Sequence, residues 1–295
     1  GFIAEGVVSR TVRDSAHMLD CLQGNYPGQL LRIAPPAKSY ASVIEAKPKK
    51  LKIAYSLDPA LGETLHGDCR QGVLETVKLL ESMGHTCEEV SLPINKVEFI
   101  YAYTVLVCSE MAATLKEGER VLGRKGKASD FEARTWALMK LGRSFNGGDV
   151  ANAVWTMDQF SRQWMMFFEP YDALLTSTLG EPPIAVGGLR PSSQELIELK
   201  ALSYLPIGFI AKQKDFVLKA GRRVYQYCSQ TMAANVTGQP SMSVPLHWNA
   251  QGLPIGMMFT GRFGEENVLL NLAAQLEQAK PWADKRPPIY AGANT

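Results

Sequence analysis

Four histidines and five cysteines are the residues here best equipped for proton transfer, nucleophilic attack or metal binding. His247 stands beside Trp248, where an imidazole could act as a general base. No serine and carboxylate fall around it in a Ser–His–Asp arrangement, so His247 is read as a hydrogen-bonded structural residue. Cys108 could attack a carbonyl as a thiolate. Its neighbours Leu106, Val107 and Met111 are apolar, surroundings that raise a thiol's pKa, and the reading is a buried, inert cysteine. His17, His66 and His85 show no ligand spacing with the cysteines, so no metal site is expected, and the chain carries no cofactor motif.

A second group of residues could bind rather than react. Tyr101, Tyr103, Met111, Trp136, Phe145, Trp155 and Trp164 concentrate in one section. Core packing accounts for most of them, but a pocket for an apolar ligand draws on the same types. Tyr103, Glu110 and Trp136 are the candidate substrate-lining residues. Arg10 and Asp14, four apart at a helix start, are expected to form a local ion pair. Asn235 is expected to cap a helix.

The elements that must hold these residues follow from periodicity. Thr11 can cap a helix running to about Gly24, with Asp14 at its third position and Val12, Ala16, Leu19 and Leu22 on one face. Leu51–Leu57 reads as a strand, Gly62–Met83 as a helix and His85–Leu92 as a second strand. That order within some forty residues fits a βαβ unit with parallel strands. Asp58-Pro59-Ala60-Leu61-Gly62 lacks the spacing of a nucleotide fingerprint and reads as scaffold. Residues 97–168 read as helical, with breaks near Gly123 and at Asn146-Gly147-Gly148. Ala173–Thr178 reads as a buried strand, Ser192–Glu198 as an exposed polar stretch and Asp215–Ala234 as one helix. Ser241–Leu246 alternates as a strand, Gly252-Leu253-Pro254 turns, and Ile255–Thr260 forms the next strand. Glu265–Ala279 is the last long helix. No internal repeat and no low-complexity segment stands out.

The 295 residues suffice for one large domain or two small ones. A hydrophobic fraction of 46%, a charged fraction of 20% and a net charge of +2 are ordinary for a water-soluble chain. Neither nucleic acid nor an anionic membrane is expected as a partner. Lys47–Lys52, the densest basic cluster, reads as solvation of a strand's lead-in. No apolar run reaches membrane-spanning length. An odd number of scattered cysteines points to a reducing, cytoplasmic setting. The chain begins at Gly1, not at methionine, and reads as a fragment or processed piece.

The run Asn235-Val236-Thr237-Gly238-Gln239-Pro240-Ser241-Met242-Ser243-Val244-Pro245, followed by Gly252-Leu253-Pro254-Ile255-Gly256, resembles the C-terminal core motif of the amidase signature family. Four further segments resemble that family in the same order. They are Gly6–Asp14, the βαβ unit at 51–92, Phe168–Leu175, and the closing helix with Pro281-Trp282. The aromatic-rich middle resembles the branch that includes 6-aminohexanoate cyclic-dimer hydrolases. The resemblance implies an α/β fold, a mixed central β-sheet covered by helices on both sides, of which residues 1–295 are the C-terminal part. Within it, 51–92 is the βαβ unit, 97–168 a helical section flanking the cleft, and 173–280 the C-terminal sheet and helices.

Family members are implied to cleave carbon–nitrogen amide bonds with a Ser–Ser–Lys triad beneath converging backbone N–H groups. The loop that supplies them should read like Gly-Gly-Ser-Ser-Gly-Gly-Ser. Ser192-Ser193 lacks flanking glycines, and Ser241-Met242-Ser243 belongs to the downstream motif, its serines expected to bond a turn. No triad residue carries over, so the catalytic assignment is none and the isolated chain is expected to be inactive. The substrate is expected to be a small-molecule amide acted on by the full-length enzyme. Removing half a sheet leaves open edges and bare apolar surface. The piece should pair with its missing N-terminal half or self-associate. The competing reading is a non-catalytic binding or assembly module derived from an amidase.

Overall fold

The computed structural model describes residues 6–29, 32–204, 213–287 and 289–290. Five strands form one mixed sheet: β1 Lys52–Tyr55, β2 Thr86–Glu89, β3 Ala173–Ser177, β4 Ser241–Trp248 and β5 Pro254–Gly261, in the order β2-β1-β3-β5-β4. β1 runs parallel to β2 and to β3, while β5 is antiparallel to β3 and β4. Helix α3 (Gly67–Ser82) links β1 to β2, so the βαβ unit read from the sequence is present. His66 caps α3 through Nδ1, which accepts the Asp68 amide; the chain from Pro59 to Leu65 is loop, not the first turns of the helix.

Alternation along the strands sends side chains to two cores. Ile53 and Leu175 pack with α3 and with α10 (Glu266–Ala279), whose Leu269, Leu272 and Leu276 close that face. Ala54 and Leu174 point the other way, into a core of Phe99, Met157, Phe160, Trp164 and Phe168. Those residues come from α4 (Lys96–Leu122) and α6 (Gly147–Phe167) and the turn that ends α6. A period of two on buried strands and helices on both faces is the α/β arrangement the sequence implied.

Among the described residues, α4 alone is long and apolar enough to cross a membrane, by length and composition. This corrects the reading that no run reaches that length. Its Phe99, Val105 and Leu106 are buried against neighbouring helices.

Helix α1 (Val12–Leu22) starts as read: the Thr11 hydroxyl accepts the Asp14 amide at 3.1 Å. Val12 and Ala16 are buried, but Leu22 is exposed. Arg10 departs from expectation. Its guanidinium donates to the Ala283 and Lys285 carbonyls, while Trp282 Nε1 donates back to the Arg10 carbonyl. The first and last described segments are thus clamped together, and no Arg10–Asp14 pair forms. The short α2 (Tyr40–Ile44) packs on α1 and α10, and Asp20 accepts the Tyr40 and Ala41 amides at its start.

The sequence reading differs most between residues 190 and 240. Ser192–Glu198, read as exposed and polar, is indeed exposed through Ile197 but leads into a helix, α7 (Ser193–Tyr204). The single helix read over 215–234 is two: α8 (Lys214–Tyr227) and α9 (Met232–Thr237). Asn235 lies inside α9, and Gly238, at φ 71°, ends it. Helix α5 (Ala133–Gly142), preceded by a short 3-10 turn at Ala128–Asp130, completes the helical section.

Candidate functional site

Three helices converge beside the second core. Tyr103, Thr104, Val107 and Cys108 recur on one face of α4, and Arg134, Ala137, Leu138 and Leu141 on one face of α5. Val217, Gly221, Val224 and Tyr225 add a third wall from α8, and Glu195 and Leu199 of α7 and Met232 of α9 also line the space. Spacings of three and four residues put each set on a single stripe. The space between them is a cavity of about 550 Å³. Its depth is fixed by a close crossing: a Cβ on Gly142 would lie 1.8 Å from the Cys108 carbonyl oxygen, so only glycine lets α5 approach α4.

The titratable hydroxyls and thiol of the inner chamber are buried or half-buried. Tyr225 and Thr104 hydroxyls share a hydrogen bond of 2.6 Å. Burial pushes the Tyr225 phenol up to about 12 and also raises Tyr103. Burial pushes the Cys108 thiol up to about 12, so it stays protonated at neutral pH, as its apolar neighbours implied. Tyr103, Tyr225 and Cys108 therefore keep their protons at neutral pH.

A second, more polar cavity of about 420 Å³ adjoins the first through Arg134, Glu195, Lys219 and Val224, which line both. Glu63, Arg190 and Arg222 face this outer space. Arg222 pairs with Glu63 at 2.6 Å. Two glutamines brace the loop that leads here from β1. Gln226 Oε1 accepts the Glu63 and Thr64 amides, and its Nε2 donates to the Thr64 carbonyl. Gln230 accepts the Ala60 amide and donates to the Asp58 carbonyl. The scaffold reading of Asp58–Gly62 thus acquires named partners. The loop also sits at the C-terminal end of β1 beside that of β3, where open α/β sheets place ligands.

Of the three candidate lining residues, Tyr103 faces the cavity and stacks on Phe99 with ring centroids 5.9 Å apart. Glu110 is exposed further along α4 and is not among the cavity's lining residues. Trp136 stacks on Phe131 at 5.7 Å, between lining residues Arg134 and Ala137 but outside the lining itself. Arg134, Lys219 and Tyr225 were not singled out from the sequence. The signal for Tyr225 was the four-residue step from Gly221 on an amphipathic stretch.

The other candidates for chemistry take structural places. His247 Nδ1 lies 2.9 Å from Glu75 Oε2, the hydrogen-bonded role read for it. The Gln71 side chain, then His247, holds the Glu75 carboxyl below its usual range against the opposing pull of burial. Ser192 accepts the Glu195 amide while Glu195 accepts the Ser192 amide, which caps α7. Ser243 bonds Thr178, in the bend that follows β3, at 2.6 Å, and Ser241 bonds Thr260 on the neighbouring strand β5 at 2.9 Å.

A family model described as Amidase matches residues 1–270. The chain belongs to the amidase signature family. A putative amidase AmiC of Mycobacterium tuberculosis is 29% identical over 99% of this chain, which spans 55% of that relative. A 6-aminohexanoate-cyclic-dimer hydrolase of Paenarthrobacter ureafaciens is 25% identical over 98% of this chain, again spanning only 56% of its length. The solved structure of 6-aminohexanoate cyclic dimer hydrolase superposes with a TM-score of 0.79 at 24% identity, over 95% of this chain and 55% of that one. A bacterial aryl acylamidase of the same family superposes at 0.72 and 20% identity, over the same shares of the two chains. The fold of this amidase chain is therefore that of about 55% of longer enzymes.

Proposed function

We propose that this chain is the C-terminal half of a serine hydrolase that cleaves small-molecule amides, and that alone it turns nothing over. The observation that carries the reading is the alignment of nearly the whole chain with only about 55% of its amidase relatives. Among the described side chains, no lysine hydrogen-bonds a serine, as a Ser–Ser–Lys relay requires. The chain contributes the walled cavity, with Tyr103 inside it and Trp136 and Glu110 toward its margin. Five free cysteines suit a cytoplasmic setting.

The partner is the N-terminal half, and β4 is where it joins. β4 pairs with β5 alone, and its outer edge offers unpaired backbone groups. Beside it lie the Ser243 and Thr178 hydroxyls, which bond each other at 2.6 Å. Pro245 sits at an irregularity in the β4–β5 register and bends this edge.

Amine release from a simple amide tests both parts. The purified chain should show none above background. A longer polypeptide that adds the coding sequence upstream of Gly1 should show turnover. Turnover by the isolated chain after stringent purification refutes the first part. An upstream frame without a lysine and a glycine-serine loop refutes the second and favours the binding module.

A further inference from the structure

The two adjoining cavities differ in chemistry, and the difference selects a ligand. Val107, Leu138, Leu141 and Val217 give the inner chamber apolar walls. Its Tyr225 and Thr104 hydroxyls already satisfy each other, so an apolar body can enter without stranding them. The junction carries two cations, Arg134 and Lys219, and one carboxylate, Glu195. Arg134 and Lys219 line both chambers, and neither side chain has a carboxylate partner among the described residues. Arg134 is half-buried, held where the apolar space ends. The carboxylates nearby are mostly committed: Glu195 accepts the Ser192 amide at the start of α7, and Glu63 pairs with Arg222. Glu181 and Arg190 line the outer chamber and not the inner one.

We propose that this site takes an amphiphile: an aliphatic or aromatic body in the inner chamber, ending in a carboxylate held by Arg134 and Lys219. It deepens the amide-hydrolase reading and rests on it for the word substrate. The preferred amides are those of chains that carry a carboxylate several bonds from the scissile group. Volume agrees, because about 550 Å³ falls within the usual size of small-molecule sites.

The test is calorimetric titration of the full chain with octanoate, octanamide and octylamine. Octanoate should bind about tenfold more tightly than octylamine, and added salt should weaken octanoate but not octanamide. A double variant, Arg134→Met with Lys219→Met, should reduce octanoate to the affinity of octanamide and leave octanamide unchanged. Leu138→Trp should fill the chamber and weaken all three. If that core variant does not fold, the double variant still decides, since Lys219 is exposed and Arg134 half-buried. Octylamine binding as well as octanoate, an octanoate affinity indifferent to the double variant, or no binding of any probe to folded chain overturns the proposal. Binding is read without turnover. Failure of the longer polypeptide to hydrolyse amides would therefore sink the functional reading and leave this result standing, and the converse also holds.

Discussion

His85 accepts the Leu51 amide through Nδ1 at 3.1 Å, at the point where α3 hands over to β2. It is buried, and burial first, then the nearby Lys50 charge, holds its pKa below the ordinary histidine value. The folded chain therefore binds this proton less readily than the unfolded chain does. The stability His85 contributes is complete above the ordinary value of about 6.5 and drains away as pH falls from there toward the depressed folded value. Urea unfolding midpoints at about pH 7 and about pH 5 should show that loss, and His85→Asn should shrink the difference between them. An unchanged difference would remove His85 from the account. The structural role of His247 was legible because no partner set for catalysis stood nearby in sequence, whereas the role of His85 was not read from the sequence. Arg134 and Lys219 were not legible. They lie on different helices, and only packing brings them to one junction; in sequence each looks like a solvated surface cation.

At the scale of elements, the α4–α5 crossing sets the cavity. Gly142 has no room for a methyl group against the Cys108 carbonyl. Gly142→Ala should force the helices apart and cost about 1–3 kcal/mol, read as a lower urea midpoint with an unchanged slope. Octanoate binding should weaken with it, because both walls move. A variant as stable as the parent would mean the helices tolerate a wider crossing. The strands β4 and β5 were legible because Ser241–Leu246 alternates and Gly252, at φ 75°, turns the chain between them. The break between α8 and α9 was not. Cys228-Ser229-Gln230-Thr231 contains no glycine or proline to announce it. Gln226, near the end of α8, and Gln230, within that break, bond a loop more than a hundred and sixty residues earlier, a constraint that no local pattern carries. Helix α7 was missed for a related reason: its exposed first turns carry no clear apolar stripe.

For the whole molecule, two cores on opposite faces of one sheet form the scaffold, and β2 and β4 are its two edges. That helices would cover both faces was implied by the family resemblance, and Ile53 with Leu175 on one face and Ala54 with Leu174 on the other bear it out. The family followed from five motifs in order. The cavity's ligand chemistry did not follow, because it depends on three helices meeting. The central claim is that these residues hold an amide without attacking it. Treatment of the folded chain with a fluorophosphonate, a reagent that marks activated serine nucleophiles, followed by intact-mass measurement, tests it directly. The account predicts an unshifted mass. A stoichiometric adduct on any serine of residues 1–295 would contradict it.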